Sequence, residues 1–193
     1  MNILEKANEF YKDYVKVDPW EDAIFAKVKR MQNDTRGQFG EQIVSEALHL
    51  NENFVFDMDC TNFNKHADGH YDLKVNGVRI EVKTSCHTSS GTWQHEPLYA
   101  EDVCDLTIFI DFSYDFFHIS VIPSKDLPLG RDSQYFINKT GHLRRNKDDG
   151  YKLDFSRKTI RDLSAFGLTQ TFKADATIQD IASFIGGKLN EFV

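Results

Sequence analysis

The chain has 193 residues, 40% of them hydrophobic and 16 of them phenylalanine, so it can bury a sizeable core and is most simply one domain. Its net charge of −7 argues mildly against nonspecific nucleic-acid binding, for which a basic domain is expected. Cys60, Cys86 and Cys104 form neither a zinc pattern nor a disulfide framework, the start Met1-Asn-Ile-Leu-Glu-Lys lacks the features of a secretory signal, and the apolar run Leu106-Thr-Ile-Phe-Ile110 is far below a membrane span; a cytoplasmic protein with no membrane partner is expected.

Residues 2–16 suit a helix with Ile3, Leu4, Ala7, Phe10, Tyr11 and Tyr14 on one side. Asp18-Pro19-Trp20-Glu21 restarts a helix, with Asp at the N-cap, Pro at N1 and Glu at N3; it is predicted to run to about Met31. The polar run Gln32-Asn-Asp-Thr35 breaks the chain and caps the next segment. Residues 35–50 read as an amphipathic helix whose stripe is Phe39, Ile43, Val44, Ala47 and Leu48. Glu41 sits on the edge of that stripe. A carboxylate leaning toward a packed face wants a partner; the plain alternative is a first-turn Glu favoured by the helix N-terminus.

Asn53-Phe-Val-Phe-Asp57 can form a first strand, and residues 63–69 a polar loop. The stretch Asp72-Leu-Lys-Val-Asn-Gly-Val-Arg-Ile-Glu81-Val-Lys83 then reads as two strands joined by Asn76-Gly77, the strongest short signal for a type I′ hairpin. Counting outward, Val75 faces Val78, Lys74 faces Arg79 and Leu73 faces Ile80. Asp72 then lies opposite Glu81, with Cβ atoms roughly 5 Å apart, and Lys83 points to the same side as Glu81. Two like charges facing each other in a ladder are destabilising, and a divalent cation between them would turn repulsion into ligation. The plain alternative is an ordinary hairpin with one solvated face.

Residues 84–97 are small, polar and aromatic at once, and read as a loop that could contact DNA through Ser85, Trp93 and Gln94; an ordinary surface loop with Trp93 tucked into the core is the competing reading. His87 and His95 are loop histidines and are assigned no role. A short helix is expected over 98–102, strands over 105–112 and 117–122 with a turn at 113–115, and further strands over 134–138 and 151–155 around a polar loop at 141–149. Thr177-Ile-Gln-Asp180 is a capping box for a final helix carrying Ile178, Ile181, Ala182 and Ile185, its end weakened by Gly186-Gly187. Lys139, His142, Arg144, Arg145 and Lys147, followed by Arg157, Lys158 and Arg161, form basic clusters that suit phosphate contact or a solvated loop.

Together, the helix with Glu41, the strand aspartate Asp72 and Glu81-Val82-Lys83 followed by Thr84-Ser85 resemble the PD-(D/E)xK nuclease superfamily. The resemblance covers roughly residues 36–123, and Tyr71 stands where the family's proline would be. Arg36-Gly37…Gly40-Glu41 also looks like the opening helix of archaeal Holliday-junction resolvases in that superfamily. Asp68 competes for the role of strand aspartate, but hairpin counting favours Asp72. The resemblance implies an α/β (mixed α+β) restriction-endonuclease-like fold, with a central mixed sheet of about five strands flanked by helices. It implies a helical extension over 1–35, a catalytic core over 36–123, and a C-terminal extension over 124–193 for DNA recognition or dimerisation. It further implies Mg²⁺, with Mn²⁺ as a substitute, held by Asp72, Glu81 and the Val82 carbonyl. Glu41 would support the site through water, Lys83 would activate the attacking water, and no organic cofactor is needed. The expected activity is hydrolysis of DNA by a homodimeric restriction-type endonuclease. A junction resolvase, a homing or repair nuclease, an inactive DNA-binding or assembly module, and a small α/β protein with no nucleic-acid partner are the other readings. A negative total charge is compatible with a metal-dependent nuclease, because only the DNA-facing surface must be positive.

Overall fold

A computed structural model describes residues 18–59, 71–99, 103–136, 142–143 and 150–192. The 2–16 helix, the 63–69 loop, Asp68, Lys139, Arg144, Arg145 and Lys147 lie outside the described residues. The elements are α1 (Ala26–Arg30), α2 (Asn33–His49), β1 (Phe56–Asp59), β2 (Leu73–Val75), β3 (Val78–Cys86), β4 (Thr92–Leu98), β5 (Leu106–Phe112), β6 (Phe116–Pro123), β7 (His142–Leu143), β8 (Tyr151–Ser156), α3 (Arg157–Ala165), β9 (Thr169–Lys173) and α4 (Ile178–Leu189).

The fold is mixed α/β. A six-stranded sheet has the order β1-β2-β3-β5-β6-β9, and a three-stranded sheet the order β4-β8-β7. Among the described strands only β3 and β5 run parallel; the other pairs are antiparallel. The main sheet has six strands rather than about five because β9, from the C-terminal part, adds to β6.

Both faces of the main sheet are covered, which explains why every residue of β5 is buried. Leu106, Ile108, Ile110 and Phe112 pack with Val44, Ala47 and Leu48 of α2 and Ile181, Ile185 and Leu189 of α4. The alternate residue Phe109 packs on the other side with Trp93 and Leu98 of β4, Leu153 and Phe155 of β8, and Ile160 and Leu163 of α3. Among the described residues no helix is long and apolar enough to cross a membrane.

The hairpin forms as counted. Asn76 and Gly77 take φ of 49° and 82°, and the pairs are Leu73↔Ile80, Lys74↔Arg79 and Val75↔Val78. The final helix starts at its capping box, where the Thr177 side chain accepts from the Asp180 N–H, and it continues through both glycines. Gly186 faces the Phe54 ring, which a Cβ would meet at 3.4 Å in ordinary van der Waals contact.

Other expectations change. The helix predicted from Asp18 shrinks to α1: Asp18 Oδ1 accepts from the Trp20 N–H at 3.0 Å, but the Trp20 indole is buried and donates to the His87 carbonyl at 3.2 Å, and turns fill the space up to Ala26. The first strand lies at Phe56–Asp59, not 53–57, because the Val55 N–H donates to Asn76 Oδ1 at 2.8 Å and only then does pairing with β2 begin. Residues 84–97 are not a loop: β3 runs to Cys86, and β4 follows after a turn at Gly91. Leu98 ends β4 instead of opening a helix. Residues 134–136 are not a strand.

Candidate functional site

The site follows from a mismatch in strand length. β3 has nine residues and β2 has three. Past Ile80, no described strand pairs with the β2-side edge of β3. Asp72 is therefore not a ladder partner of Glu81, as counting had it; the ladder stops one residue earlier. Its own N–H donates to the Ile80 carbonyl at 2.9 Å, and its carboxylate accepts from the Val82 N–H at 2.7 Å. The side chain thus caps the open edge in place of a strand. The Val82 carbonyl faces the same open edge, because both polar groups of a strand residue point to one side.

Glu81 and Lys83 flank the buried Val82, on the opposite face of β3 from the apolar residues, and form an ion pair with each other. With Glu41 and Asp72 they line a cleft of about 760 Å³. The cleft lies between the start of α2 and β4, whose residues Gln94 and Glu96 form one of its walls.

Burial pushes the Glu81 carboxyl up to about 7; Lys83 pulls it back, while Asp72 and Glu41 push it further up. Asp72 is raised too, by burial, against the opposing pull of the Val82 N–H and Lys83. Burial works to lower Lys83, but Glu81 and Asp72 outweigh it and hold the ammonium above the ordinary lysine value. Counted formally, three carboxylates, Glu41, Asp72 and Glu81, share this part of the cleft with the one ammonium of Lys83.

This has a consequence for stability. Between its ordinary 4.5 and about 7, folded Glu81 keeps a proton that the unfolded chain has released. Its contribution is full below pH 4.5 and is lost as the pH rises through 7, an effect of up to roughly 3 kcal/mol. In EDTA, the melting temperature of the wild type is expected to fall relative to that of Glu81→Gln between pH 5 and pH 8. Parallel melting curves across that range would show that Glu81 titrates normally.

Glu41 reaches the cleft because α2 approaches β3 closely at one point. A Cβ on Gly40 would overlap Thr84 Oγ1 and lie 3.1 Å from Thr84 Cβ. Gly40→Ala is expected to destabilise by about 1–3 kcal/mol, outweighing the gain of roughly 0.5–1 kcal/mol from helix propensity. Thr84 Oγ1 is buried without a hydrogen-bond partner. The double variant Gly40→Ala/Thr84→Ala should therefore recover most of the loss in denaturant melts; no recovery would mean that another contact sets the helix position.

Among the described residues, no three Asp, Glu, His or Cys side chains stand together as a ready-made metal site. Glu81 turns to Lys83, and Asp72 to the Val82 N–H. The donor chemistry nonetheless fits Mg²⁺, which needs only one or two protein carboxylates and fills its shell with water and phosphate oxygens. Buried carboxylates with raised pKa values are the groups a divalent cation would restore to the charged form.

Trp93 is not a DNA contact. It is 1% exposed, its indole donates to the Phe112 carbonyl at 2.9 Å, and its ring meets the edges of His87 and His118. Strand alternation turns it to the core while Gln94 faces out. Ser85 lines the cleft, but it is buried and its hydroxyl accepts from the Gln94 N–H at 3.1 Å, tying β3 to β4. His87 and His95 are buried and lie outside the cleft. Sequence reasoning gave no role in the site to the facing wall, lined by Lys29, Asn33, Asp34 and Arg36, of which only Arg36 entered through the resemblance. The two cations bracket the polar break at 32–35, a signal that could have found them.

The chain matches no known family model and no curated protein.

Proposed function

We propose that this protein is a Mg²⁺-dependent endodeoxyribonuclease with a restriction-endonuclease-like fold, hydrolysing DNA phosphodiester bonds as a homodimer. The observation that carries the reading is the convergence of Glu41, Asp72, Glu81 and Lys83 on one cleft at the free edge of β3. The excess negative charge of that cluster suits a divalent cation rather than a bare anion. Asp72, Glu81 and the Val82 carbonyl would hold Mg²⁺ or Mn²⁺, with Glu41 supporting through water, and the ion would supply Lewis-acid charge to the reacting phosphate and lower the pKa of water.

The chain's own residues do the rest. Lys83, held protonated by Glu81 and Asp72, donates to the phosphate and orients the attacking water, whose proton passes to solvent while the departing sugar oxygen takes one up from solvent. Lys29 and Arg36 on the facing wall meet flanking phosphates. Asp72 links the hairpin to the open edge of β3 and fixes the position of Val82.

The test is incubation of a long unmodified duplex with the protein in Mg²⁺ and in EDTA, beside Asp72→Asn. Discrete fragments that require both Mg²⁺ and Asp72 are expected. Intact duplex in Mg²⁺, with branched and single-stranded DNA equally intact, would overturn the reading and favour a binding module.

A further inference from the structure

The three-stranded sheet joins two distant parts of the sequence. β4 follows the Glu81–Lys83 strand directly, and β8 comes from the C-terminal part and pairs with it through Thr92↔Ser156, Trp93↔Phe155, Gln94↔Asp154 and His95↔Leu153. Trp93, His95, Leu153 and Phe155 face inward and are buried. Thr92, Gln94, Asp154 and Ser156 are therefore left on the outward face, which continues the wall of the cleft at Gln94.

Two of these four are already engaged. The Thr92 hydroxyl lies 3.2 Å from Thr88 Oγ1, and Ser156 Oγ caps α3 by accepting from the Thr159 N–H at 3.2 Å. The facing pair Gln94 and Asp154 is not. Asp154 is half-buried: its Oδ1 is covered and has no hydrogen-bond partner, which leaves Oδ2 to meet a ligand, and among the described residues the Gln94 amide has no partner.

From these observations we infer that the outward face of β4 and β8 reads base edges in the major groove of duplex DNA, with Gln94 and Asp154 as its specificity-determining pair. The inference rests on the nuclease reading only for the identity of the polymer in the cleft. Among the described residues β7 pairs only with Tyr151 and Lys152, so at Gln94 and Asp154 the sheet is two strands wide; two such strands lie about 4.8 Å apart and fit a major groove about 12 Å wide, which admits a two-stranded ribbon. Residues two apart on a strand are separated by roughly 6.6 Å, close to two base-pair steps of about 3.4 Å each.

The chemistry of the face selects bases over backbone. Asp154 and the neighbouring Glu96 would be repelled by phosphates, and Lys152 is the one cation on β8. A carboxylate is instead suited to accept from the cytosine amino group, and a glutamine amide pairs in two places with adenine. The opposite wall carries two cations, Lys29 and Arg36, beside one carboxylate, Asp34. One wall would then hold the backbone while the other reads sequence.

The experiment selects bound duplexes from a randomised pool, in Mg²⁺, with Lys83→Ala as a binder that leaves the DNA intact. Lys83→Ala/Gln94→Ala and Lys83→Ala/Asp154→Asn are run beside it, and melting curves establish that each is folded. A consensus is expected in which each second substitution relaxes one base pair, lowering discrimination there by roughly 5- to 150-fold. An unchanged consensus in both variants would overturn the inference, as would the absence of any enriched sequence. Cleavage by the wild type separates the two claims. Cutting without a consensus leaves the nuclease reading standing and removes this one. A consensus relaxed by the variants, without cutting, does the reverse.

Discussion

Lys83→Ala is expected to lower duplex cleavage by about 100- to 1,000-fold, with a change in stability much smaller than that loss implies. The ammonium lies beside Glu81 and Asp72, and its removal takes away the cation nearest both carboxylates. Two effects follow. The reacting phosphate loses a fixed positive donor, and Glu81, already raised to about 7, rises further. Proton loss from Glu81 then requires a higher pH. At limiting Mg²⁺, where the proton competes with the ion for Glu81, the residual cleavage of the variant should therefore climb with pH over a range where wild-type cleavage has levelled. Lys83→Arg separates the roles: it restores the charge with a different shape, so stability should return before activity. Full cleavage by Lys83→Ala at neutral pH would remove the lysine from the site.

The largest effect on stability is expected at the buried pair of His95 and Asp111. The Nε2 and Oδ1 atoms are 3.1 Å apart, and the side chains are 1% and 0% exposed. The distance is within ion-pair range, and no well-aligned hydrogen bond joins the two atoms. The pair ties β4 to β5 and so joins the small sheet to the large one. The His95 ring also packs edge-on against Phe109 and Phe155, with centroids 4.6 and 4.8 Å away.

His95→Phe keeps that aromatic packing and removes the partner of Asp111. His118, across the ladder from Asp111, is no substitute: burial holds its imidazole below the ordinary value, although Asp111 pulls it upward. Stranding one member of a buried pair costs about 3–5 kcal/mol, which lowers the melting temperature by roughly 10 °C in a chain of this size. Asp111→Leu removes the pair from the other side and supplies the second single variant of the cycle. The double variant His95→Phe/Asp111→Leu should recover most of the loss, since well-packed apolar replacements of buried pairs are often neutral or better. If His95→Phe melts like the wild type, the pair holds nothing together.

Much of this protein is local and could be read along the chain. The Asn76-Gly77 turn needs two residues with positive φ, and alternation on either side of it fixed which residues of β3 face the core. The helical period of residues 35–50 located Glu41 at the edge of its apolar stripe, and the Thr177–Asp180 box marked the start of the last helix. These signals depend on neighbours within one turn or one strand, where spacing alone decides geometry.

Tertiary structure decided what depends on partners distant in sequence. Trp93 became core because β8, some sixty residues later, pairs with β4 and brings Phe155 opposite it. Asp72 left the ladder because β2 stops short, so that its carboxylate, not its backbone, meets Val82. Gly40 acquired its purpose only where α2 crosses Thr84, and His95 found Asp111 on a strand of the other sheet. No periodicity encodes such meetings: the residues become neighbours only when sheets and helices stack, and their burial then sets the charge of the site.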